Sequence, residues 1–511
     1  MSSGKRPSPR ALAPMLWAGK LKALVERLAS NDDQSEASAE EVEERLLRAI
    51  LAAKRRDLRK RHGARSSDRI QRRVADKHAR DHSRKLRRSS LGRRIPLDRR
   101  LLLARRIDSP LLDAIHPARP SSWRSMLHRH RNKGPHHLDI RDFDLLDNPI
   151  QTLEVIRQIS EVECNEIEAC LNFIDDYCLD AGAYLVLAEF WHQLAPVFGR
   201  GRMSRRIQKV ISATGIDQDI AIHLGGVRDH NDVWAFPIRR RRPKFSTRDP
   251  RAQLAPQDAE KVTDQFCEKI NDWLLVASEA EDEEFIWQLT DEGKANIGRM
   301  FGELLDNAER HSQPGSKDGD WSVMGYMVRR EDGAGYRLLC SLAFLSVGQS
   351  MSDSLGQAAP AVRDYVQSYV DSHKGCGLSP DTLATVVALQ DRITGDPRAT
   401  EAGRGGTGLQ DVIDFVDILA SAEPGAPPPR VTILSGRSCI RLREPIFQGL
   451  RTENGHRLQW CNKANSGHEP PDPAVAFDLP VHFAGTLVSI AFSLDVRFLK
   501  EGGHARDDRS N

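Results

Sequence analysis

The hydrophobic pattern of this 511-residue chain changes character near residue 138. Before that point Leu16, Trp17, Leu21, Leu24, Val25 and Leu28 recur at helical spacing and predict one short amphipathic helix. A Ser/Asp-rich break at 30–37 separates it from a second helix, Glu40–Arg61, acidic first and basic last, an order that suits the helix dipole. From 62 to 135 apolar residues become sparse among Arg and His, and part of this stretch is expected to be disordered in the free chain.

Beyond 138 apolar runs and periodic stretches alternate. Cys170–Asp175 reads as a buried strand, Ala181–Leu194 as a largely apolar helix, Ser204–Thr214 as a second helix, and Ile220–Leu224 as another strand. Strands alternating with helices predict a small α/β domain at 138–240. The basic stretch Arg239–Ala255, with Pro243 and Pro250, reads as a linker, placing the boundary at 241–255. Two helices follow, at about 256–278 and 291–312, then strands at 321–330 and 335–345 joined by a hairpin-type turn, Glu331–Gly335. Helical patterns recur at 360–372, 379–393 and 408–420. Strands are expected at Val431–Leu434, Ser438–Leu442, His456–Cys461 and Thr486–Leu494. The fold class is thus α/β and multidomain: a basic helical arm at 1–135, an α/β domain at 138–240, a linker, a larger α/β unit at 256–500 and a tail at 501–511. A chain of this length has room for two or three such units.

Charge sharpens this division. The net charge of +3 conceals 22 Lys/Arg against 5 Asp in residues 54–106, so the rest of the chain is acidic. Arginines there come in pairs such as Arg72-Arg73 and Arg87-Arg88, and no aromatic residue interrupts them. Base stacking is not offered, so non-specific contact with a nucleic-acid backbone is one reading. Docking of a solvated arm on the protein's own acidic body or on a protein partner is the other. The eight cysteines show no paired spacing, which favours reduced thiols in a cytoplasmic protein. No apolar run reaches the roughly 18 residues of a membrane span, and no uninterrupted apolar core of a secretory signal is present. His128, His130, His136 and His137 have no Cys or acid nearby to complete a metal set.

The residues that carry chemistry lie in Gly302–Ser312. Glu303 and Asn307 are four apart, so both leave the same helix face, while Ile297, Phe301, Leu304, Leu305 and Ala308 form its buried stripe. A carboxylate there can orient or deprotonate a water, and an amide oxygen is a hard ligand suited to Mg²⁺. Taken alone, the pair reads more readily as an ordinary solvated face with a chance spacing. The cluster Gly403-Arg404-Gly405-Gly406-Thr407-Gly408-Leu409 then runs into a helix: its glycines let backbone amides approach an anion, and Arg404 can neutralise phosphate. In isolation this is equally a flexible surface loop.

Glu303–Ser312 resembles the N box of the GHKL ATPase superfamily, which includes gyrase, histidine kinases and mismatch-repair ATPases. Gly403–Leu409 looks like its second glycine box, and Phe483–Ile490 resembles its closing strand, where Gly-Thr lies beside the adenine. The resemblance covers about 290–495 and implies an α/β sandwich that binds ATP with Mg²⁺. It implies Glu303 as general base, Asn307 as the Mg²⁺ ligand, and Arg310 as a phosphate contact. Arg404, Gly405, Gly406, Thr407 and Gly408 would form the phosphate loop, and Thr486 would lie at the base. Residues 351–404 would be a lid, with Lys374 and Arg404 reaching phosphate. The first glycine box departs from the family's Asp-x-Gly-x-Gly: in Leu345–Met351, Gly348 survives, but Ser346 stands for the Asp and Ser350 for the second Gly. A serine accepts a hydrogen bond more weakly and without charge. Asp353 could replace the acid only in a rearranged loop.

The helices at 256–312 carry no His before His311, so a conventional histidine autokinase is disfavoured. Leu171–Asp175 followed by Asp180–Leu187 resembles the strand-turn-helix of STAS domains, but the phosphorylatable Ser/Thr of that turn is missing, with Cys178 and Asp180 nearby instead. Together these resemblances imply an ATP-binding regulator that switches protein partners, with slow hydrolysis or protein-Ser/Thr phosphorylation. The alternative is a nucleic-acid-associated or protein-interaction scaffold with a degenerate nucleotide site.

Overall fold

Two sheets of opposite pairing organise the protein. In the computed structural model, the described residues are 109–119, 136–165, 169–195, 197–198, 200–220, 230, 232–242, 259–280, 286–311, 319–332, 335–391, 393–395, 412–413, 428–443, 450–451, 457–493 and 499–502. The basic run at 54–106, all but the first residue of the strand expected at Ile220–Leu224, and the second glycine box lie outside them.

A short helix α1 (Pro110–Ile115) precedes β1 (His136–Ile140), α2 (Pro149–Asn165), β2 (Ala169–Phe173), α3 (Ala181–Leu194), β3 (Arg200–Arg202) and α4 (Arg205–Thr214). β1, β2 and β3 pair in parallel, and α2 and α3 supply the crossovers that parallel pairing requires. All of α3 except His192 is buried, as its nearly continuous apolar sequence dictates. Helix α4 is amphipathic instead. Ser204 caps its start, Gly215 at φ 79° ends it, and only Ile207, Val210, Ile211 and Thr214 are buried.

The second part comprises β4 (Val233–Arg241), α5 (Ala259–Ala280), β5 (Ile286–Leu289), α6 (Asp291–His311), β6 (Trp321–Asp332), β7 (Gly335–Val347), α7 (Met351–Leu355), α8 (Pro360–Ser372), α9 (Pro380–Ala388), β8 (Arg430–Leu442), β9 (Leu450–Arg451), β10 (Arg457–Leu458), β11 (Ala476–Ser493) and β12 (Leu499–Gly502). Five strands form an antiparallel sheet in the order β4-β6-β7-β11-β8, while β5 pairs with β12 and β9 with β10.

Alternation along the strands gives this sheet two apolar faces. Val323, Met327, Leu342, Phe344, Val488 and Ile490 pack with Phe266 and Trp273 of α5, Phe301 of α6, and Leu383 and Val387 of α9. Met324, Tyr326, Ala343, Leu345, Val347 and Leu487 share a second core with α3 and the parallel unit. The fold is therefore mixed α/β, with the sheet covered on both sides.

Several boundaries differ from the sequence expectations. The linker expected from 239 begins as strand: Arg239, Arg240 and Arg241 pair with Val323, Ser322 and Trp321. Arg242 is then buried, with Nη1 3.0 Å from Asp320 Oδ1 and Nη2 bonded to Glu189 Oε2. The partner strand lies some eighty residues downstream, so local pattern gave no sign of it. The two strands expected in 431–442 are one. Val431 and Ile433 face the helices before Gly436, and Ile440 and Leu442 do so after it, because Gly436 (φ 59°) re-phases the strand beside a bulge in the β8–β11 pairing. β11 starts at Ala476, ten residues early, and the strand expected at 456–461 shrinks to Arg457–Leu458. Helix α2 was not anticipated.

Candidate functional site

Helix α6 buries Ile297, Met300, Phe301, Leu304, Leu305 and Ala308 against the sheet. Glu303 and Asn307 flank that stripe, half-buried, and Asp306 is exposed. Glu309, one turn from Asp306, is structural. Its carboxylate accepts from Gly319 N at 3.0 Å and Trp321 Nε1 at 2.5 Å and pairs with Arg241 Nη1 at 3.0 Å. That carboxylate fastens the end of α6 to the edges of β4 and β6.

Beside α6, on the helical face of the sheet, lies a cavity of about 120 Å³. Leu304, Leu305, Phe344, Met351, Leu355, Ile393 and Val488 make it largely apolar, and Asn307, Ser346 and Thr486 supply polar groups. Three expected site residues from distant parts of the chain thus meet. The β7–β11 register sets Ser346 directly opposite Thr486, and alternation puts both on the face of Phe344 and Val488. Gly485 makes this pairing feasible: it sits at φ 132°, and a Cβ there would lie 2.0 Å from the Ser346 carbonyl oxygen.

Ser435, a residue that sequence reasoning missed, ties three elements together beneath Thr486. Its hydroxyl lies 2.8 Å from Thr486 Oγ1, donates to Gly485 O at 3.2 Å, and accepts from Met351 N at 2.8 Å. A serine inside the apolar run Val431–Leu434/Ile440 was its only signal.

The altered first glycine box has a local explanation. Gly348 takes φ 137° and donates its N–H to Ala484 O at 3.2 Å, turning the chain out of β7. Ser350 then caps α7 in a reciprocal box. Its Oγ accepts from Asp353 N at 3.1 Å, and Asp353 Oδ2 accepts from Ser350 N at 3.2 Å and Ser350 Oγ at 2.7 Å. Asp353 is thereby committed to the cap and does not line the cavity, so it does not replace the missing acid.

Glu303 and Gly348 also stand outside the cavity lining. Lys374 is on the surface beyond α8, its side chain 81% exposed and 3.3 Å from Asp371, so it is not brought to the site. Nor is the whole connection after 351 a detached lid: in α9 Thr382, Leu383, Thr385, Val386 and Val387 are buried, and Thr385 Oγ1 lies 2.9 Å from Ser438 Oγ. The Arg310 side chain and Arg404, Gly405, Gly406, Thr407 and Gly408 lie outside the described residues.

All described lining residues of this cavity are uncharged. An apolar slot edged by an amide and hydroxyls suits a flat heteroaromatic ring, with any charged group held outside near Asn307 and Glu303. Among the described residues no three His, Cys, Asp or Glu are grouped to hold a metal. A divalent cation at Asn307 would therefore draw its other ligands from phosphate and water, the usual habit of Mg²⁺.

The turn that resembles a phosphoswitch faces inward. Asp180 is fully buried and accepts from Gly182 N at 2.8 Å, Ala183 N at 3.0 Å, Leu145 N at 3.0 Å and Ser489 Oγ. Ala181 N donates to Ser341 Oγ at 3.0 Å, and Tyr326 Oη donates to Cys178 O at 3.0 Å. The turn thus docks on β6, β7 and β11, and burial pushes the Cys178 thiol far above its ordinary range. Close by, burial and the neighbouring Asp180 and Asp147 raise Asp144 to about 7, against N–H donation from Asp147 and Leu146. No family model, curated protein or solved structure gives a match to this chain.

Proposed function

We propose that this chain is an ATP-binding regulatory protein of the GHKL type, in which Mg·ATP binding and slow hydrolysis, or protein-Ser/Thr phosphorylation, are coupled to a change of protein partner. The observation that carries this reading is the convergence of Asn307, Ser346 and Thr486 on one cavity. These are the positions that the N box, the first glycine box and the closing strand would contribute.

Bound Mg·ATP would supply a labile phosphoanhydride and a metal-polarised phosphoryl group. Leu304, Phe344 and Val488 would exclude water around the base, and the hydroxyls of Ser346 and Thr486 would orient its polar edge. Asn307 Oδ1 would hold the cation. Glu303, one helical turn earlier, would accept a proton from an attacking water at its carboxylate.

A second reading has its own support. A neutral cavity with serine in place of the adenine-binding acid fits a scaffold whose nucleotide site has degenerated, with function resting on protein or nucleic-acid contacts. Calorimetric titration of the full chain with Mg·ATP and Mg·GTP separates the two. Saturable binding of ATP alone supports the ATPase reading, and binding of neither selects the scaffold. In the first case Glu303→Ala should still bind ATP while turnover drops at least a hundredfold. Unchanged turnover would remove Glu303 from the role of base.

A further inference from the structure

A second cavity, of about 470 Å³, opens on the opposite face of the sheet, between the parallel unit and strands β6, β7 and β11. Its chemistry is unlike that of the first. Five cationic side chains line it, and most have partners. Lys209 pairs with Asp232 at 2.7 Å, and Arg430 pairs with Asp147.

Arg206 and Arg330 differ. Arg206 comes from α4 and Arg330 from β6, and both guanidinium groups stack on one ring, Tyr177, at 4.4 Å and 4.2 Å from its centroid. Two cations on one ring are at most the sum of those distances apart. Among the described residues neither has a carboxylate partner, so each retains its fork of donors. A tyrosine ring offsets only part of each cation's charge, leaving mutual repulsion that an anion would cancel.

The same cavity holds an acceptor. Asp144 is 95% buried by its 5% exposure, and its Oδ1 takes the N–H groups of Leu146 and Asp147. Its Oδ2 makes no hydrogen bond among the described residues, and Asp144 belongs to the lining of a cavity large enough for a small organic molecule. A guanidinium pair selects an anion with several oxygens, and a carboxyl in the same cavity selects a hydroxyl.

We propose that this cleft binds a phosphate monoester that carries hydroxyl groups, with the phosphate taken by the N–H groups of Arg206 and Arg330 at the edge of the Tyr177 ring and a hydroxyl on Asp144. The site is independent of Asn307 and of ATP. Calorimetry on the full chain with ribose 5-phosphate, inorganic phosphate and ribose as probes tests it. Ribose 5-phosphate should bind saturably and more tightly than inorganic phosphate, and ribose should not bind measurably. Arg206→Gln with Arg330→Gln should weaken ribose 5-phosphate at least tenfold, with the near-ultraviolet circular dichroism unchanged. Asp144→Asn should weaken ribose 5-phosphate while leaving inorganic phosphate within twofold. Should the double variant fold poorly, Arg206→Gln alone, on the exposed side of α4, should still give a threefold or greater loss. Equal binding by wild type and the arginine variants would overturn the proposal and point to the arginines of 54–106. Absence of saturable binding by wild type would overturn it too.

Discussion

The two faces of the five-stranded sheet are built from alternate residues of the same strands, yet they carry opposite chemistry. Toward the helices, Phe344, Ser346, Thr486 and Val488 line a small neutral slot. Toward the parallel unit, Ser341, Tyr326 and Arg330 border a larger cleft with charges of both signs. Burial explains how each face tolerates its polar groups. On the helical face they are hydroxyls and an amide, which cost little to bury when hydrogen-bonded. On the other face the carboxylates are either paired with a cation, as for Asp147 and Asp232, or capped by several N–H groups, as for Asp180. The lesson is that a sheet can keep two ligand chemistries apart with only its own thickness between them.

The largest expected effect comes from the residue that ties the parallel unit to the edge of the sheet. Arg242 holds Glu189 of α3 and Asp320 at the start of β6, and all three side chains are 2% exposed. Arg242→Ala takes from two buried carboxylates the guanidinium they share and should cost roughly 3–5 kcal/mol in urea unfolding. A loss under 1 kcal/mol would mean that the parallel unit is held to the sheet by apolar packing alone.

Gly485→Ala comes next and strikes only the helical face. Its Cβ would meet the Ser346 carbonyl in a backbone conformation that favours glycine, so about 2–4 kcal/mol of stability should go, with the β7–β11 register disturbed. Retention of wild-type stability would show that Thr486 is not held opposite Ser346 as described.

On the charged face, Asp144→Asn reads out the raised carboxyl. Folded Asp144 ionises near 7 against an ordinary value of 3.8, so the unfolded chain gives up this proton first. Stability is thus full below about pH 4, falls as pH rises toward 7, and levels above it. The uncharged variant escapes that loss. Its stability relative to wild type should rise by on the order of 3 kcal/mol between pH 4 and pH 8. A difference independent of pH would place the retained proton on Asp180 instead.

The smallest change sharpens the neutral face. Ser346→Asp restores the acid expected of a first glycine box and should tighten Mg·ATP about tenfold, near 1.4 kcal/mol, without tightening Mg·GTP. Equal gains for both nucleotides would show that Ser346 does not face the base edge.

Much of the local structure could be read in advance. The apolar run of Ala181–Leu194 and the stripe of 291–311 mark α3 and α6 within a residue or two, and the alternation of 321–347 marks β6 and β7. At the site, Asn307, Ser346 and Thr486 were legible because each follows a short motif on a regular element. Pairing at a distance was not. The end of β4 reads as the start of a basic linker because four arginines follow Pro237 and Ile238, and only the strand at 321–332 gives the first three their pairing. β8 reads as two strands because Gly436 shifts its phase. Ser435 and Arg242 escaped notice for a related reason: their value lies in contacts with residues some 50 to 80 positions away. Helix α2 had a signal in Leu153, Ile156 and Ile159, three apart after Pro149, but its polar neighbours diluted it.

The double coverage of the sheet also determines how the chain can be divided. Cutting between 240 and 255 would strip β4 from β6 if the earlier piece were discarded, and would bare the Met324, Ala343, Leu345 and Leu487 surface that α3 occupies. The later piece would carry an open strand edge beside an uncovered apolar face, a template for aggregation. The earlier piece would expose a largely apolar helix. Residues 136–242 and the strands that follow therefore share one core and one sheet, and a cut between them exposes apolar surface on both pieces.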